Sequence, residues 1–358
     1  MNKTMKAIVA HAPRDFRVEE IPVPAIGPGE VLMKVGACGI CGSDLHCYNG
    51  AVTYWGDDKT PAWVKAPFIP GHEFSGTVAG LDDAARQKWE IDVGDRIVVE
   101  QILPCEECLY CREGDYNLCA VHNMYGFQRG VADGAWAEYC RLGAKSRIHK
   151  IPDGVSMEDA ATVEPLACAL HAFERGEVRL SDVVVVASMG TIGGFIVQLA
   201  RLANPKTLVV VDVMDKRLEL AKTFGADVVI NAKNEDAVAR VLEMTGGYGC
   251  NVYYDVTGHP SGVLQGLAMI RKKGRFVEFS VFGEPTTADW SIIGEKKAIE
   301  IRGAHISPYT YPASLDLLAS GRVTTKGLLT GTFKLDDFDN ALKQSQNTAV
   351  SIKNLLVP

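Results

Sequence analysis

Four cysteines lie close together in the segment PCEECLYCREGDYNLC. They are spaced so that their thiolates can surround one tetrahedral ion from a single short loop: Cys105, Cys108, Cys111 and Cys119. A closed set of four thiolates is typical of structural zinc, and the alternatives are an iron–sulfur cluster or four separately buried thiols. The spacing predicts a zinc ion that folds the loop and leaves no ligand position open for a substrate.

A second group of metal-ligand side chains is divided between two segments. CGICGSDLH contains Cys38 and Cys41, and PGHE, further along the chain, contains His72 and Glu73. A catalytic zinc takes about three protein ligands and keeps one open position, and a thiolate, an imidazole and a carboxylate are all suitable donors. Each segment alone is a weak indication, because Cys38 and Cys41 also suit a redox pair. Together with the four-cysteine loop, the two segments favour a catalytic zinc.

A glycine-rich turn follows a run of valines. Residues 183–187 predict a strand, the turn SMGTIG follows, and residues 193–202 predict a helix, which is the order that dinucleotide binding requires. Gly190 lets the backbone approach a pyrophosphate, and Gly193 lets the helix pack closely on the sheet. Ser188 occupies the first glycine position, so a positive φ there would strain the turn and put cofactor affinity in doubt.

An acidic residue ends the next predicted strand, at 207–212. Asp212 lies where a carboxylate accepts hydrogen bonds from the adenosine ribose and repels a 2′-phosphate, which predicts NAD rather than NADP. Arg217 weakens this prediction a little, because an arginine nearby can accommodate a phosphate.

The elements that must position these residues differ between the two halves of the chain. Up to about residue 160, short runs at 6–10, 30–37, 74–79 and 96–101 are separated by turn residues, which predicts an irregular, mostly β region. From residue 183 onward, short apolar strands alternate with helical stretches, as in a parallel sheet covered on both faces. The sequence therefore predicts an α/β protein with a doubly wound parallel sheet and a second, mostly β domain.

The composition excludes several classes of protein. A chain of 358 residues with a formal charge of −7, 47% hydrophobic and 23% charged residues is expected to be soluble and globular, with about two domains. Its bulk charge argues against nucleic-acid binding. The uncharged stretch at 183–200 is broken by the glycine-rich turn, so no membrane helix is predicted. No signal peptide is recognised, and we expect a cytoplasmic protein whose ten cysteines are thiols or metal ligands.

The order and separation of CGICGSDLH, PGHEFSG, the four-cysteine loop, VEPLACALHA and the glycine-rich turn resemble the zinc-dependent medium-chain dehydrogenases over nearly the whole chain. The GHE and EPL triplets are more similar to the polyol dehydrogenases, of which sorbitol dehydrogenase is typical, than to the ethanol-oxidising enzymes. GRFVEFSVFGEPTTADWSIIG and YWGDDKTPAWVKAPFIPGHEF resemble the erythritol/L-threitol dehydrogenases. The resemblance implies a GroES-like catalytic domain at 1–163 and 302–358 and a Rossmann NAD-binding domain at 164–301.

The resemblance also implies a set of residues for the catalytic zinc. Cys41, His72 and Glu73 are its implied ligands, with Glu164 beside the metal. One thiolate and one carboxylate already neutralise Zn²⁺, and a second bound carboxylate would leave the site anionic. Glu164 is therefore expected to hold a water molecule on the ion, or to bind zinc only when substrate is absent.

Ser43 and His46 are implied to relay the substrate proton through the nicotinamide ribose to solvent, and Asp44 between them is expected to accept a structural hydrogen bond. The aromatic residues of the first domain either line a substrate cleft or pack locally: Tyr54, Trp55, Trp63 and Phe127. The predicted cofactor contacts are Gly190, Ile192, Gly193, Asp212, Arg217, Ser280, Val281 and Phe282.

The predicted reaction is hydride transfer from a secondary carbinol carbon of a small polyol to NAD, which gives a ketose. Erythritol or threitol, oxidised to erythrulose, is the favoured substrate, and L-threonine, 2,3-butanediol and longer sugar alcohols are alternatives. A silent zinc- and nucleotide-binding protein and a zinc-free NADPH reductase are further alternatives. The expected cofactors are one catalytic zinc, one structural zinc and NAD. We expect no nucleic-acid or membrane partner and, by analogy, a homodimer or homotetramer.

Overall fold

The structure is a computed structural model that describes residues 3–358, and it divides into two compact units. One unit combines the chain up to Glu164 with the segment from Tyr311 to Pro358, and the other runs from Pro165 to Thr310. The second unit extends past residue 301 because the strand Glu300–Gly303 is still paired with its sheet.

Seventeen strands are formed within residues 3–358. Numbered in chain order, they are β1 (Thr4–Ala12), β2 (Asp15–Pro22), β3 (Val31–Ile40), β4 (Phe74–Leu81), β5 (Arg96–Val99), β6 (Ile102–Leu103), β7 (Asn123–Met124), β8 (Tyr139–Leu142), β9 (Ile148–Lys150), β10 (Val183–Ala187), β11 (Thr207–Asp212), β12 (Val228–Asn231), β13 (Cys250–Asp255), β14 (Ile270–Glu278), β15 (Glu300–Gly303), β16 (Leu329–Lys334) and β17 (Lys353–Val357).

The same residues form twelve α-helices and three short 3₁₀ turns, and no helix among them is both long and apolar enough to cross a membrane. The helices are α1 (Gly42–Tyr48), α2 (Val52–Trp55), α3 (Asp83–Trp89), α4 (Leu109–Glu113), α5 (Met157–Ala161), α6 (Val163–Arg175), α7 (Thr191–Leu202), α8 (Asp215–Thr223), α9 (Ala237–Met244), α10 (Pro260–Met269), α11 (Tyr311–Ala319) and α12 (Phe338–Gln346).

The main sheet of the first unit has the strand order β16-β17-β3-β4-β5-β9, and β8 also pairs with β3. β3 is antiparallel to β4, with Cys38 opposite Phe74, and β17 is antiparallel to the other side of β3, with Leu356 opposite Cys38. Its core includes the fully buried Trp136 and Phe68. The last strand of the chain therefore lies beside the strand that leads into CGICGSDLH.

The sheet of the second unit has the order β12-β11-β10-β13-β14-β15, and all of its neighbouring strands are parallel. This is the doubly wound order of dinucleotide-binding domains, in which ligands bind beyond the carboxyl ends of the strands. Val184, Val185 and Val186 of β10 are completely buried, as a strand covered on both faces requires. The predicted fold class is confirmed.

Several strands escaped the pattern analysis, and β2 and the start of β14 show why. β2 forms a hairpin with β1, but Arg17, Glu19 and Glu20 make it too polar to resemble a buried strand. β14 begins at Ile270, directly after α10 ends at Met269. Its first part contains the exposed residues Arg271 to Lys273, which hide the strand periodicity.

Candidate active site

The four-cysteine loop joins β6 to β7, which pair antiparallel and bring the two ends of the loop together. The four sulfur atoms lie within 4.8 Å of one another, and the Sγ atoms of Cys105 and Cys111 are 4.0 Å apart. Zinc–sulfur bonds of about 2.3 Å in a tetrahedron place the sulfurs about 3.8 Å apart. The arrangement therefore fits a tetrathiolate zinc site closely.

Backbone N–H groups point at these sulfur atoms. Cys108 N–H donates to Sγ of Cys105 (3.3 Å), and Ala120 N–H donates to Sγ of Cys108 (3.4 Å). Backbone hydrogen bonds from Ala120 and Cys111 lower the pKa of Cys108 to about 6, whereas burial raises the pKa of Cys111. The loop thus favours the thiolate form at Cys108, and a bound metal would favour it at Cys111 as well.

The second cluster forms where β3 ends and β4 begins. Cys41 follows β3 and caps the N-terminus of α1, and His72 and Glu73 directly precede β4. Because β3 and β4 are antiparallel neighbours, these two positions meet at one edge of the sheet. One ligand atom each of Cys41, His72 and Glu73 lies within 4.8 Å of the other two, and His72 and Glu73 are 3% and 1% exposed.

Asp44 lies against two of these residues. Its Oδ2 atom accepts a hydrogen bond from the backbone N–H of Cys41 (2.8 Å), and its Oδ1 atom lies 3.4 Å from Nδ1 of His72. A carboxylate behind a ligating imidazole fixes the orientation and the tautomer of the ring, so that the other nitrogen can bind metal. The structural role predicted for Asp44 matches these contacts.

Two glycines make room for the cluster. A Cβ atom on Gly39 would lie 1.9 Å from Oε2 of Glu73, so only glycine fits beside this carboxylate. Gly71 has φ of +94°, and a Cβ atom there would lie 2.2 Å from Cδ1 of Trp136. Position 39 needs glycine because a side chain there would collide with Glu73. Position 71, next to His72, needs glycine because a side chain would collide with Trp136 and because its φ is positive.

Lys353, which sequence analysis missed, lies against the same cluster. Its Nζ atom is 2.6 Å from both carboxylate oxygens of Glu73 and also donates to the carbonyl of Ile40 (3.1 Å). Lys353 is 3% exposed and stands at the first position of β17. The sequence gives no signal for it, because KNLLV lacks a period-2 alternation and residues 353–356 are buried on both faces of the strand.

Burial by itself would lower the pKa of Lys353, but the charges of Glu73, Cys41 and Glu164 outweigh it and hold the pKa above its usual value. The lysine therefore stays protonated at neutral pH and adds one positive charge to the cluster. A buried ammonium ion is stable only with such partners.

Glu164 lies in the first turn of α6 and is 7% exposed. Its Oε1 atom accepts a hydrogen bond from Nε2 of Gln101 (2.6 Å). Its carboxylate is not part of the group formed by Cys41, His72 and Glu73, although its charge acts on Lys353. This placement suits an acid beside the metal site rather than a fourth member of the cluster.

The two residues of the expected proton relay lie on α1. Ser43 is half-buried in the first turn, and His46 is exposed three residues later. Residues three positions apart share a helix face, as the predicted relay between these two side chains requires.

Aromatic rings pack beside His72. The ring of Phe127 lies 5.6 Å from the imidazole of His72 and also packs against Tyr54 (5.6 Å) and Trp63 (4.8 Å). Trp55 packs instead against Phe68. Three of the four aromatic residues singled out from the sequence therefore form one apolar wall near the cluster, and Trp55 packs locally.

In the second unit, the glycine-rich turn joins β10 to α7. Ser188 has φ of +85°, the strained conformation that the sequence raised as a concern. Gly190 is the N-cap residue of α7, and a Cβ atom on it would meet only Ser188 Oγ, at 4.0 Å. A Cβ atom on Gly193 would lie 1.9 Å from the carbonyl oxygen of Ser188, so this glycine closes the turn. The open backbone of Gly190 suits a phosphate.

Asp212 ends β11 next to this turn. Its Oδ2 atom accepts a hydrogen bond from Met189 N–H (2.6 Å), and Oδ1 accepts one from Met214 N–H (2.9 Å). These contacts hold the carboxylate at the carboxyl edge of the sheet, where a ribose binds.

The remaining predicted cofactor residues surround the same edge. Ser280 accepts a hydrogen bond from Gly258 N–H and donates one to the carbonyl of Asp255, at 3.1 Å each, and so joins the loops that follow β13 and β14. The other predicted cofactor residues are Ile192 in the first turn of α7, Arg217 in α8, the exposed Val281 and the half-buried Phe282.

Family models match both parts of the chain. Residues 27–153 match the alcohol dehydrogenase GroES-like domain, and residues 191–320 match the zinc-binding dehydrogenase domain. An erythritol/L-threitol dehydrogenase from Mycolicibacterium smegmatis is 45% identical over 99% of this chain and 98% of its own length. The chain belongs to the zinc-binding alcohol dehydrogenase family.

Other members of the family align over nearly the same length. A sorbitol dehydrogenase from Bacillus subtilis is 34% identical over 96% of this chain and 94% of its own. Two solved structures, one from Sinorhizobium meliloti bound to NADP and one from E. coli complexed with NADH, each have a TM-score of 0.88 at 28% identity and cover both chains completely. In this zinc-binding dehydrogenase, both cysteine clusters fall within the GroES-like match, whereas Lys353 lies outside both matches.

Proposed function

We propose that this dehydrogenase oxidises a secondary alcohol of a small polyol to a ketose and reduces NAD, with erythritol or threitol as the favoured substrate. The carbon loses a hydride to the nicotinamide and the hydroxyl loses a proton, so the products are the ketone, NADH and H⁺. The observation that carries the proposal is the convergence of the Cys41, His72 and Glu73 ligand atoms within 4.8 Å. The 45% identical relative is named for erythritol and L-threitol.

The donor set of this cluster fits zinc. One thiolate, one imidazole and one carboxylate are ligands that zinc accepts while keeping a position open. A zinc ion held there supplies a Lewis acid that favours loss of the proton from an alcohol hydroxyl. Asp44 orients His72, and Gly39 leaves the space that Glu73 occupies.

The protein residues must also remove the proton. Ser43 is half-buried and His46 is exposed on α1, so they provide a route from the site towards solvent. Glu164, held by Gln101, adds a carboxylate that accepts a hydrogen bond from a second substrate hydroxyl or from water. Vicinal hydroxyls of a polyol use such a group, and ethanol has none to offer.

NAD rather than NADP is the proposed cofactor. The Asp212 carboxylate, fixed by Met189 N–H, accepts hydrogen bonds from a ribose diol and repels a 2′-phosphate. Of the two solved relatives, one was determined with NADH and the other with NADP, so the choice rests on this residue of the chain itself.

The decisive experiment measures NADH formation by zinc-loaded protein with erythritol, both threitol enantiomers, sorbitol, xylitol, L-threonine and 2,3-butanediol. We expect the highest kcat/KM with a four-carbon polyol and a preference for NAD. A higher value with threonine or butanediol would reassign the substrate. No turnover with any alcohol by fully loaded protein would favour a silent binding protein, and turnover that survives removal of all zinc would favour a zinc-free reductase.

We propose a dimer or tetramer assembled through β15, because this strand forms the edge of its sheet and Ile301 is 45% exposed. Light scattering on a gel-filtration column measures the assembly, and a monomer over the working concentration range would refute it. A cytoplasmic location is likewise proposed, since the thiolate ligands need reducing conditions.

A further inference from the structure

The contact between Lys353 and Glu73 changes the charge of the proposed zinc site. Without the lysine, the Cys41 thiolate and the Glu73 carboxylate together neutralise a Zn²⁺ ion. Lys353 touches both oxygens of Glu73 at 2.6 Å and is almost completely buried, so its charge is barely screened by water. Lys353 thus adds one positive charge to the site, opposite in sign to the buried Asp44 carboxylate behind His72.

The geometry also limits Glu73 as a ligand. Both of its oxygens already accept hydrogen bonds from one ammonium group, and Oε2 occupies the space that a Cβ atom at position 39 would fill. A carboxylate has about four lone-pair directions, so it can bind a metal while it keeps the lysine. Its electron density is then shared between two cations, and it is a weaker donor than a carboxylate with no such partner.

We propose that Lys353 is a positioning residue that shares Glu73 with the zinc ion, weakens Glu73 as a ligand and adds one positive charge to the site. This inference rests on the proposed function, because an added positive charge favours the loss of a proton from an alcohol. It also offsets the charge that Glu164 brings near the ion. Glu164 lies within electrostatic reach of the same lysine.

The competing explanation is that Lys353 only neutralises a buried glutamate so that the chain can fold. The two explanations predict opposite changes in zinc affinity. If the lysine competes with zinc for Glu73, its removal tightens zinc binding. If it only holds Glu73 in place, its removal weakens zinc binding and leaves the electrostatics of the reaction unchanged.

The test compares Lys353→Met, Lys353→Arg and Lys297→Met with the wild type. Lys297 is the matched control, because its Nζ atom donates only to main-chain carbonyls of Leu267, Ala268 and Ile270, in the second unit. Zinc affinity of the catalytic site is measured on metal-depleted full-length protein by competition with a chromogenic chelator. The pH profile of kcat/KM is measured on the zinc-loaded proteins.

We expect Lys353→Met to bind zinc roughly tenfold more tightly and to move the acidic limb of the kcat/KM profile up by about one pH unit, because one positive charge is lost. Lys353→Arg keeps the charge and should stay close to the wild type in both measurements. Lys297→Met should lose thermal stability only. Weaker zinc binding by Lys353→Met, or an unchanged pH profile, would overturn the proposal.

A second pair of variants covers the case in which Lys353→Met does not fold. Glu73→Gln and the double variant Glu73→Gln/Lys353→Met both lack the carboxylate, and the double variant has no unpaired buried charge. The double variant should bind zinc more tightly than Glu73→Gln, and equal or weaker binding contradicts the proposal. The zinc titrations need no substrate. A wild type that binds zinc but oxidises no polyol would therefore refute the proposed function, while the titrations would still decide whether Lys353 weakens zinc binding.

Discussion

The two cysteine-containing clusters of this dehydrogenase are built in opposite ways. The four-cysteine loop is a single local segment: Cys105 and Cys119 are 14 residues apart, and backbone N–H groups of the loop itself support the sulfurs. The second cluster joins the ends of two strands, and its lysine, Lys353, is 280 residues from Glu73. A site made by one loop can be recognised from its spacing, whereas a site made by neighbouring strands depends on the sheet.

Metal removal should have different effects at the two clusters. In the function proposed above, the loop cluster leaves no ligand position open and serves folding, whereas the strand-end cluster keeps an open position and serves catalysis. Mutations in the two clusters should therefore separate stability from activity.

The largest effect on activity is expected from Cys41→Ser. Removing the thiolate ligand should lower kcat/KM by about a thousandfold or more, because metal assistance contributes several kcal/mol to such reactions. Metal analysis should find one zinc per chain instead of two, with the thermal unfolding midpoint changed little. Loss of both zinc ions, or retention of full activity, would remove the distinction between the clusters.

Cys108→Ser provides the reciprocal measurement. Loss of the loop zinc should lower the midpoint of thermal unfolding by roughly 10 °C, because a structural zinc contributes its binding free energy to folding. At low temperature, kcat/KM per catalytic zinc should stay within about threefold of the wild type. A Cys108→Ser protein with unchanged thermal stability would show that the loop does not need its metal.

Gly39→Ala tests whether the sheet positions Glu73. The new Cβ atom would lie 1.9 Å from Oε2 of Glu73, so the carboxylate must move. We expect zinc affinity and kcat/KM to fall roughly 10- to 100-fold, as for other changes behind metal ligands. Gly42→Ala is the matched control in the same segment, because nothing lies within 4 Å of its Cβ position. Equal effects of the two substitutions would argue against this role of Gly39.

The smallest effects are expected at the glycine-rich turn, which is local like the four-cysteine loop. Ser188→Gly should stabilise the protein by about 1 kcal/mol, because it relieves a φ of +85°. Gly190→Ala should leave stability nearly unchanged but weaken NAD binding roughly tenfold, since its open backbone is where a phosphate approaches. Chemical denaturation and NADH fluorescence titrations measure the two quantities. A destabilised Ser188→Gly would show that the serine side chain supports the turn.

The sequence by itself determined the local features of this protein. Spacing within one loop identified the four cysteines, and the alternation of apolar runs with helices predicted the doubly wound sheet, which β10 to β15 form. The predicted order of strand, turn and helix around Gly190 was also correct, and Ser188 has a positive φ. The sequence can indicate such turns because they depend on neighbouring residues.

The tertiary structure alone decided which distant residues share the second cluster. Residues 353–356 of β17 are buried on both faces of the strand, but the sequence KNLLV carries no information on which strand lies beside it. Pairing of β17 with β3 brings Lys353 to Glu73, and pairing of β3 with β4 brings Cys41 to His72. The charge of the site is a property of these long-range pairings, so it could be counted only once the sheet was known.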